Sequence, residues 1–242
     1  MARLPDRGKA TLVFVLAAGF ALSPVFTGGF AGFRPDQLPI AQINPPVQPA
    51  GYAFALWGAI YLWLILGAGF GLVWRAGASD WERVRAPLIP GLGLGLFWIA
   101  VAQVHVLWAT VMIWLMLAGA LLALLRAPYR DRAWLEGPVG LYAGWLTAAS
   151  CVALGLVLAG YGILSEQAAA LLMLGLALAI TLTVLVARPA TFSFAFGVCW
   201  ALFGVIIRNL ETGNMPVILL CIAGLAATVL VTLRGWHALT RA

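Results

Sequence analysis

Apolar residues run along this chain in blocks of about twenty, and short polar segments carrying most of the charge separate them. A block of that length suits an α-helix crossing a hydrocarbon core of roughly 30 Å. Helices also satisfy their own backbone polar groups where no water is at hand. The blocks predict eight spans, at 10–28, 52–74, 88–105, 107–126, 138–160, 168–187, 191–207 and 216–233. No breaker separates the third from the fourth. As one helix, Leu88 to Arg126 would reach about 58 Å, too long for a single crossing, so the chain must turn within Gln103–Trp108. The fold class is all-α, a polytopic transmembrane helix bundle.

Composition agrees: 64% of the 242 residues are hydrophobic and 9% charged, too few charges to clothe a soluble chain. The cations then set an orientation. With the N-terminus inside, the inner segments hold Arg3, Arg7, Lys9, Arg75, Arg83, Arg85, Arg126, Arg130, Arg132, Arg188, Arg234 and Arg241, which leaves only Arg34 and Arg208 outside. That split follows the positive-inside rule at every loop and predicts both termini inside (N-in/C-in). The net charge of +6 therefore reports orientation and attraction to anionic headgroups, and no nucleic-acid surface is present. The expected location is a bacterial inner (cytoplasmic) membrane, with the lipid bilayer as partner. Arg3, Arg7 and Lys9 before the run from Ala10 to Leu22 also suit a signal peptide. Ser23-Pro24 stands where its cleavage site would fall, so a retained first span is expected.

Groups able to do chemistry are scarce. Cys151, Cys199 and Cys221 fall inside spans without paired spacing, as small apolar fillers would, and make no zinc pattern or disulfide framework. His237 lies in the inner tail and His105 at the outer end of the third span. All eight acidic residues map to loops or span ends, so the intramembrane carboxylates of ion coupling are missing. No catalytic triad or carboxylate pair can be assembled at membrane depth, and neither an enzyme nor a metal site is expected. Arg208-Asn209, with Glu211 nearby, suits either a snorkelling boundary arginine or an anion contact. Leu125, Tyr129 and Arg132 match a proposed sterol-contact pattern that arises readily by chance.

The densest signal lies between Asn44 and Tyr61. Pro45, Pro46 and Pro49 hold the approach out of a helix, and an apolar helix follows at once. Phe54, Trp57 and Tyr61 stand at i, i+3 and i+7, on one face of it. Such a face beside a stiff loop builds either a lidded pocket for a flat apolar ligand or a packing seam. Gly67, Gly69 and Gly71 in the second span and Gly91, Gly93 and Gly95 in the third read as packing grooves, and such faces also suit a homodimer.

Pro45-Pro46 followed by Phe54-x2-Trp57-x3-Tyr61 resembles the TspO/MBR family, the tryptophan-rich sensory or translocator proteins. His105-x2-Trp108 stands where that family carries Asn-x2-Trp. The segment from Gly137 to Ala149, with Pro138, Tyr142, Gly144, Trp145 and Thr147, is similar to the fifth-helix signature of its longer members. The resemblance implies a five-helix membrane domain over 1–160, with three additional transmembrane helices over 161–242 packed on the same bundle. It also implies a ligand pocket formed by Phe54, Trp57, Tyr61, His105, Trp108, Tyr142 and Trp145 under a lid containing Pro45 and Pro46. The implied ligand is a tetrapyrrole such as porphyrin or haem, or a sterol-like molecule, with no cofactor required. The function so implied is sensing or transport. Two alternatives stand beside it: a small-solute transporter of another class, and a non-catalytic scaffold for membrane assembly.

Overall fold

The computed structural model describes residues 7–241; Arg3 lies outside them. Eight helices are present and, among the described residues, no strand: α1 Gly8–Thr27, α2 Leu56–Trp74, α3 Ser79–Val104, α4 Val106–Arg126, α5 Glu136–Gly160, α6 Glu166–Ala187, α7 Phe192–Leu210 and α8 Met215–Arg241. Each is long and apolar enough to cross a bilayer. The turn expected within Gln103–Trp108 falls on His105, an extended residue (φ −136°, ψ 94°) that ends α3 and begins α4. The third helix starts nine residues before its apolar block. Its first turns carry Asp80, Glu82, Arg83 and Arg85, and the helix continues through Pro87 and Pro90. α1 ends in the left-handed Gly28 (φ 79°), whose N–H reaches the Pro24 carbonyl and stops the helix.

α5 is the axis of the molecule. Of its residues only Ala149, Val152, Leu154 and Leu158 escape full burial. On one side lie α1 to α4, and on the other α6 to α8, with α7 packed most closely against it. Small residues permit that approach. A Cβ at Gly144 would land on the Phe194 carbonyl, and one at Gly197 would stand 2.8 Å from the Trp145 nitrogen. Many glycines of the α2 and α3 runs are likewise spent inside the chain, Gly71 against Trp81 and Gly95 against Phe20.

Helix direction alternates, so both termini lie at one end of the bundle, the terminal end; the connection from Gly28 to Ala55 covers the other, the lid end. Charge gathers at the terminal end. Arg75 grips Asp131 through Nε (2.7 Å) and Nη2 (3.1 Å), and the Trp81 indole donates to the same carboxylate at 3.2 Å. Arg85, 3% exposed, donates to the carbonyls of Gly71, Arg75 and Ala76 and so closes the C-terminus of α2. Lys9 pairs with Glu82 at 3.1 Å.

Candidate functional site: an aromatic cavity under the first connection

The ring face of α2 points inward. Trp57 stacks on Tyr61 (centroids 5.3 Å apart, 19° between planes), as residues one turn apart on one face can. Phe20 of α1 presents its edge to both, at 5.7 and 4.9 Å, and to Tyr142 of α5 at 6.0 Å. On the other side of Trp57 stand Trp145 (6.1 Å) and Trp98 (6.4 Å). Phe54 joins Trp145 to Phe30 of the lid, at 5.8 and 5.9 Å. The edge-to-face pairs that Phe20, Phe54 and Trp145 make, and the offset stack of Trp57 on Tyr61, are arrangements that aromatic quadrupoles favour.

A cavity of about 40 Å³ opens beside these rings. Phe54, Trp57, Trp98 and Trp145 line it, Met173 of α6 and Leu202 of α7 close the far wall, and Phe30, Val47 and Pro49 roof it. Gln48 is the single polar side chain on the lining. The indole N–H of Trp98 donates to the Ala109 carbonyl at 2.9 Å, bracing α3 against α4 across the His105 break. The Trp145 N–H and the Tyr142 hydroxyl are buried and have no partner in the protein. An unpaired buried donor costs roughly 1–3 kcal/mol, which marks these two groups for attention.

The roof is tied to three helix ends. Gln37 donates to the Ala102 carbonyl of α3 (2.9 Å), and Gln103 reaches back to Thr27 (2.6 Å) and Gly29 (3.2 Å). The Ile40 amide donates to Gly160 at the end of α5 (2.9 Å). α7 holds the proline segment. Asn209, 1% exposed, donates to Pro46 at 2.8 Å; the Ala50 amide donates to Gly204 at 3.0 Å; the Trp200 indole donates to Ala53 at 2.9 Å. A Cβ on Gly204 would come within 2.9 Å of both Pro49 and Ala53, so the segment lies directly on the helix backbone. Asn44, at a left-handed φ of 58°, turns its side chain to Arg208, which also faces Glu211 at 3.4 Å.

Among the described residues, 36–234 match the family model described as TSPO-like protein, well over half of the chain. The chain belongs to the TSPO-like family. The match runs through α6, α7 and most of α8 as well as the motif-bearing helices. No curated protein and no solved structure matches the chain significantly.

Within this TSPO-like protein, Phe54, Trp57 and Trp145 meet at the cavity, and Tyr61 and Tyr142 pack behind Trp57 rather than facing the space. Two expected site residues are elsewhere. His105 is exposed at the helix joint, and Trp108, 64% exposed, turns away from the core. The break at His105 is the cause: it resets the helical phase, and α4 buries Val106, Ala109, Thr110 and Ile113 instead. Trp98 takes the inward place. Pro45 and Pro46 shape the roof without lining the cavity; Pro49 touches it. Asn209 was legible only as a boundary residue beside Arg208, since nothing in its own neighbourhood announces the distant Pro46 carbonyl. Tyr129 and Arg132 stack together at the terminal end, Arg132 with its Cζ 5.3 Å from the ring.

Proposed function

We propose that this integral membrane protein binds an apolar small molecule between α2, α3, α5, α6 and α7, beneath the 28–55 roof, and acts as a sensor or transporter of it. The supporting observation is a cavity lined by six tryptophan and phenylalanine rings, with the Trp145 N–H buried and unpaired beside it. A flat molecule carrying one acceptor would stack on the rings and accept a hydrogen bond from that N–H. The cavity of about 40 Å³ is far below the roughly 300–1,000 Å³ of drug-sized pockets, so entry of a porphyrin or sterol-like ligand requires the roof to lift. His105 lies outside the cavity and is not a ligand contact in this reading. The same small volume favours a second reading, a non-catalytic scaffold whose rings only pack. Both readings keep the N-in/C-in orientation, in a bacterial inner membrane, that the loop cations predict.

Titration of the purified protein with protoporphyrin IX and with an unrelated apolar quencher, read by tryptophan fluorescence, separates the two. Saturable quenching that weakens about tenfold or more in Trp57→Ala and Trp145→Ala supports the binding site. Quenching that is unsaturable, or equal in the variants, leaves the scaffold.

A further inference from the structure

At the terminal end, away from the cavity, one of the two arginines buried among the described residues has no counter-charge in contact. Arg188 follows the last turn of α6 and is 6% exposed. Its Nε and Nη2 are buried and bond to nothing in the protein. Those two nitrogens form one edge of the guanidinium, the fork that takes a carboxylate or phosphate through two parallel hydrogen bonds. An empty fork at that depth is costly, because a buried charge is tolerated when paired and hydrogen-bonded. Burial accordingly pushes the Arg188 guanidinium below its ordinary value, with Glu136 nearby opposing the shift.

The neighbours do not fill the fork. Glu136 is committed to Arg132, whose Nε reaches its Oε2 at 2.8 Å, and it makes no ion pair with Arg188. Arg132 spends its Nη2 on the Ala190 carbonyl at 2.8 Å and adds a second positive charge. Tyr129 covers the group, its ring centroid 4.7 Å from the Arg188 Cζ, and the residue is 48% exposed on a surface connection. A side-chain rotation of Tyr129 therefore uncovers the fork without moving a helix. At the start of α7 the donors are also in excess. Thr191 donates its hydroxyl to the Arg188 carbonyl instead of capping the helix, and the Ser193 hydroxyl, buried without a partner, stands against Gly140 of α5.

We propose that Arg188, roofed by Tyr129 and flanked by Arg132, is a binding site for a phosphate group at the terminal end of the bundle. Two sources offer that chemistry at the depth of helix ends in a membrane protein: an anionic phospholipid headgroup and free phosphate. This site shares no residue with the cavity and does not depend on the function proposed for it.

The full-length protein in nanodiscs tests the site. In phosphatidylcholine discs, sodium phosphate should raise the unfolding temperature saturably, while sodium chloride at matched ionic strength should not. Arg188→Lys keeps the charge and loses the fork, so its phosphate midpoint should rise at least about tenfold. If the headgroup is the source, phosphatidylglycerol discs should stabilise the wild type over phosphatidylcholine discs and abolish the response to added phosphate. If free phosphate is the source, the response should persist in both. Equal responses of wild type and Arg188→Lys to phosphate and to phosphatidylglycerol would overturn the proposal. Should Arg188→Lys not fold, Tyr129→Ala carries the test by exposing the guanidinium to phenylglyoxal. Phosphate should then slow modification of Arg188 several-fold more than chloride does, and equal rates reject the site.

Discussion

At the terminal end, a carboxylate is gripped by Arg75 through two nitrogens and by an indole, and Arg85 plugs three carbonyls at once. At the lid end the fastenings are mostly neutral amides and backbone N–H groups donating to carbonyls, Gln37 to Ala102, Gln103 to Thr27 and Gly29, Asn209 to Pro46 and Ala50 to Gly204, and the Arg208–Asn44 contact adds a charged one. Neutral hydrogen bonds of that kind contribute a net of roughly 0.5–1.5 kcal/mol each. A handful of them can be exchanged for water or a ligand at modest cost, whereas the terminal end is joined by charges that share partners. The difference teaches where this bundle can open. The cavity lies under the end fastened mainly by neutral hydrogen bonds.

The largest break expected is Gly144→Val. An isopropyl group between α5 and α7 would force apart the helices on which both ends depend. Little monodisperse protein should be recovered, and what folds should lose more than about 4 kcal/mol in a denaturant titration, an exceptional loss for one residue.

Asn209→Ala should act on the lid end alone. It leaves the half-buried Pro46 carbonyl without its donor, at a local cost of about 1 kcal/mol or more. Limited proteolysis within 28–55 should accelerate on the order of tenfold or more, with cleavage at 127–135 unchanged. Equal acceleration at both ends would show that the ends are not independently fastened.

Asp131→Asn is the complementary change and should be milder. Its hydrogen bond from Arg75, then that from Trp81, holds the Asp131 carboxyl below its ordinary 3.8. A lowered carboxylate stabilises fully above its unfolded value and loses that contribution as pH falls through the folded one. The unfolding temperature of the wild type should therefore exceed that of Asp131→Asn at pH 7, and the gap should close below about pH 4.

The smallest effect is expected from His105→Asn. The side chain is exposed at the joint and touches neither fastening, so stability should change by less than about 0.5 kcal/mol. Porphyrin titrations should also be unchanged.

The spans were legible because a bilayer imposes one length on every crossing, and composition declares it. The start of α3 was not, since a helix that leaves the hydrocarbon carries charges such as Asp80 and Arg85 without ceasing to be a helix. The α2 rings were legible as well, since Trp57 and Tyr61 lie in α2 and Phe54 in the short 3-10 turn, Gly51–Ala55, that runs straight into it. His105 and Trp108 misled because their spacing was read across a helix break, where periodicity carries no information. Met173 and Leu202 carried no mark among dozens of like residues, and only packing against α5 assigns them to the cavity.

The burial of α5 bears on how the chain assembles. As synthesis proceeds from the N-terminus, α5 enters the membrane before α7 exists, and the face bearing Gly140 and Gly144 then meets lipid tails that cannot fill a groove shaped for the Phe194 backbone. Residues up to 160 thus form an unfinished surface, and α7 acts as its late-arriving complement. Supplying α6 to α8 as a separate polypeptide should restore to a chain ending at 160 the protease resistance that it lacks alone.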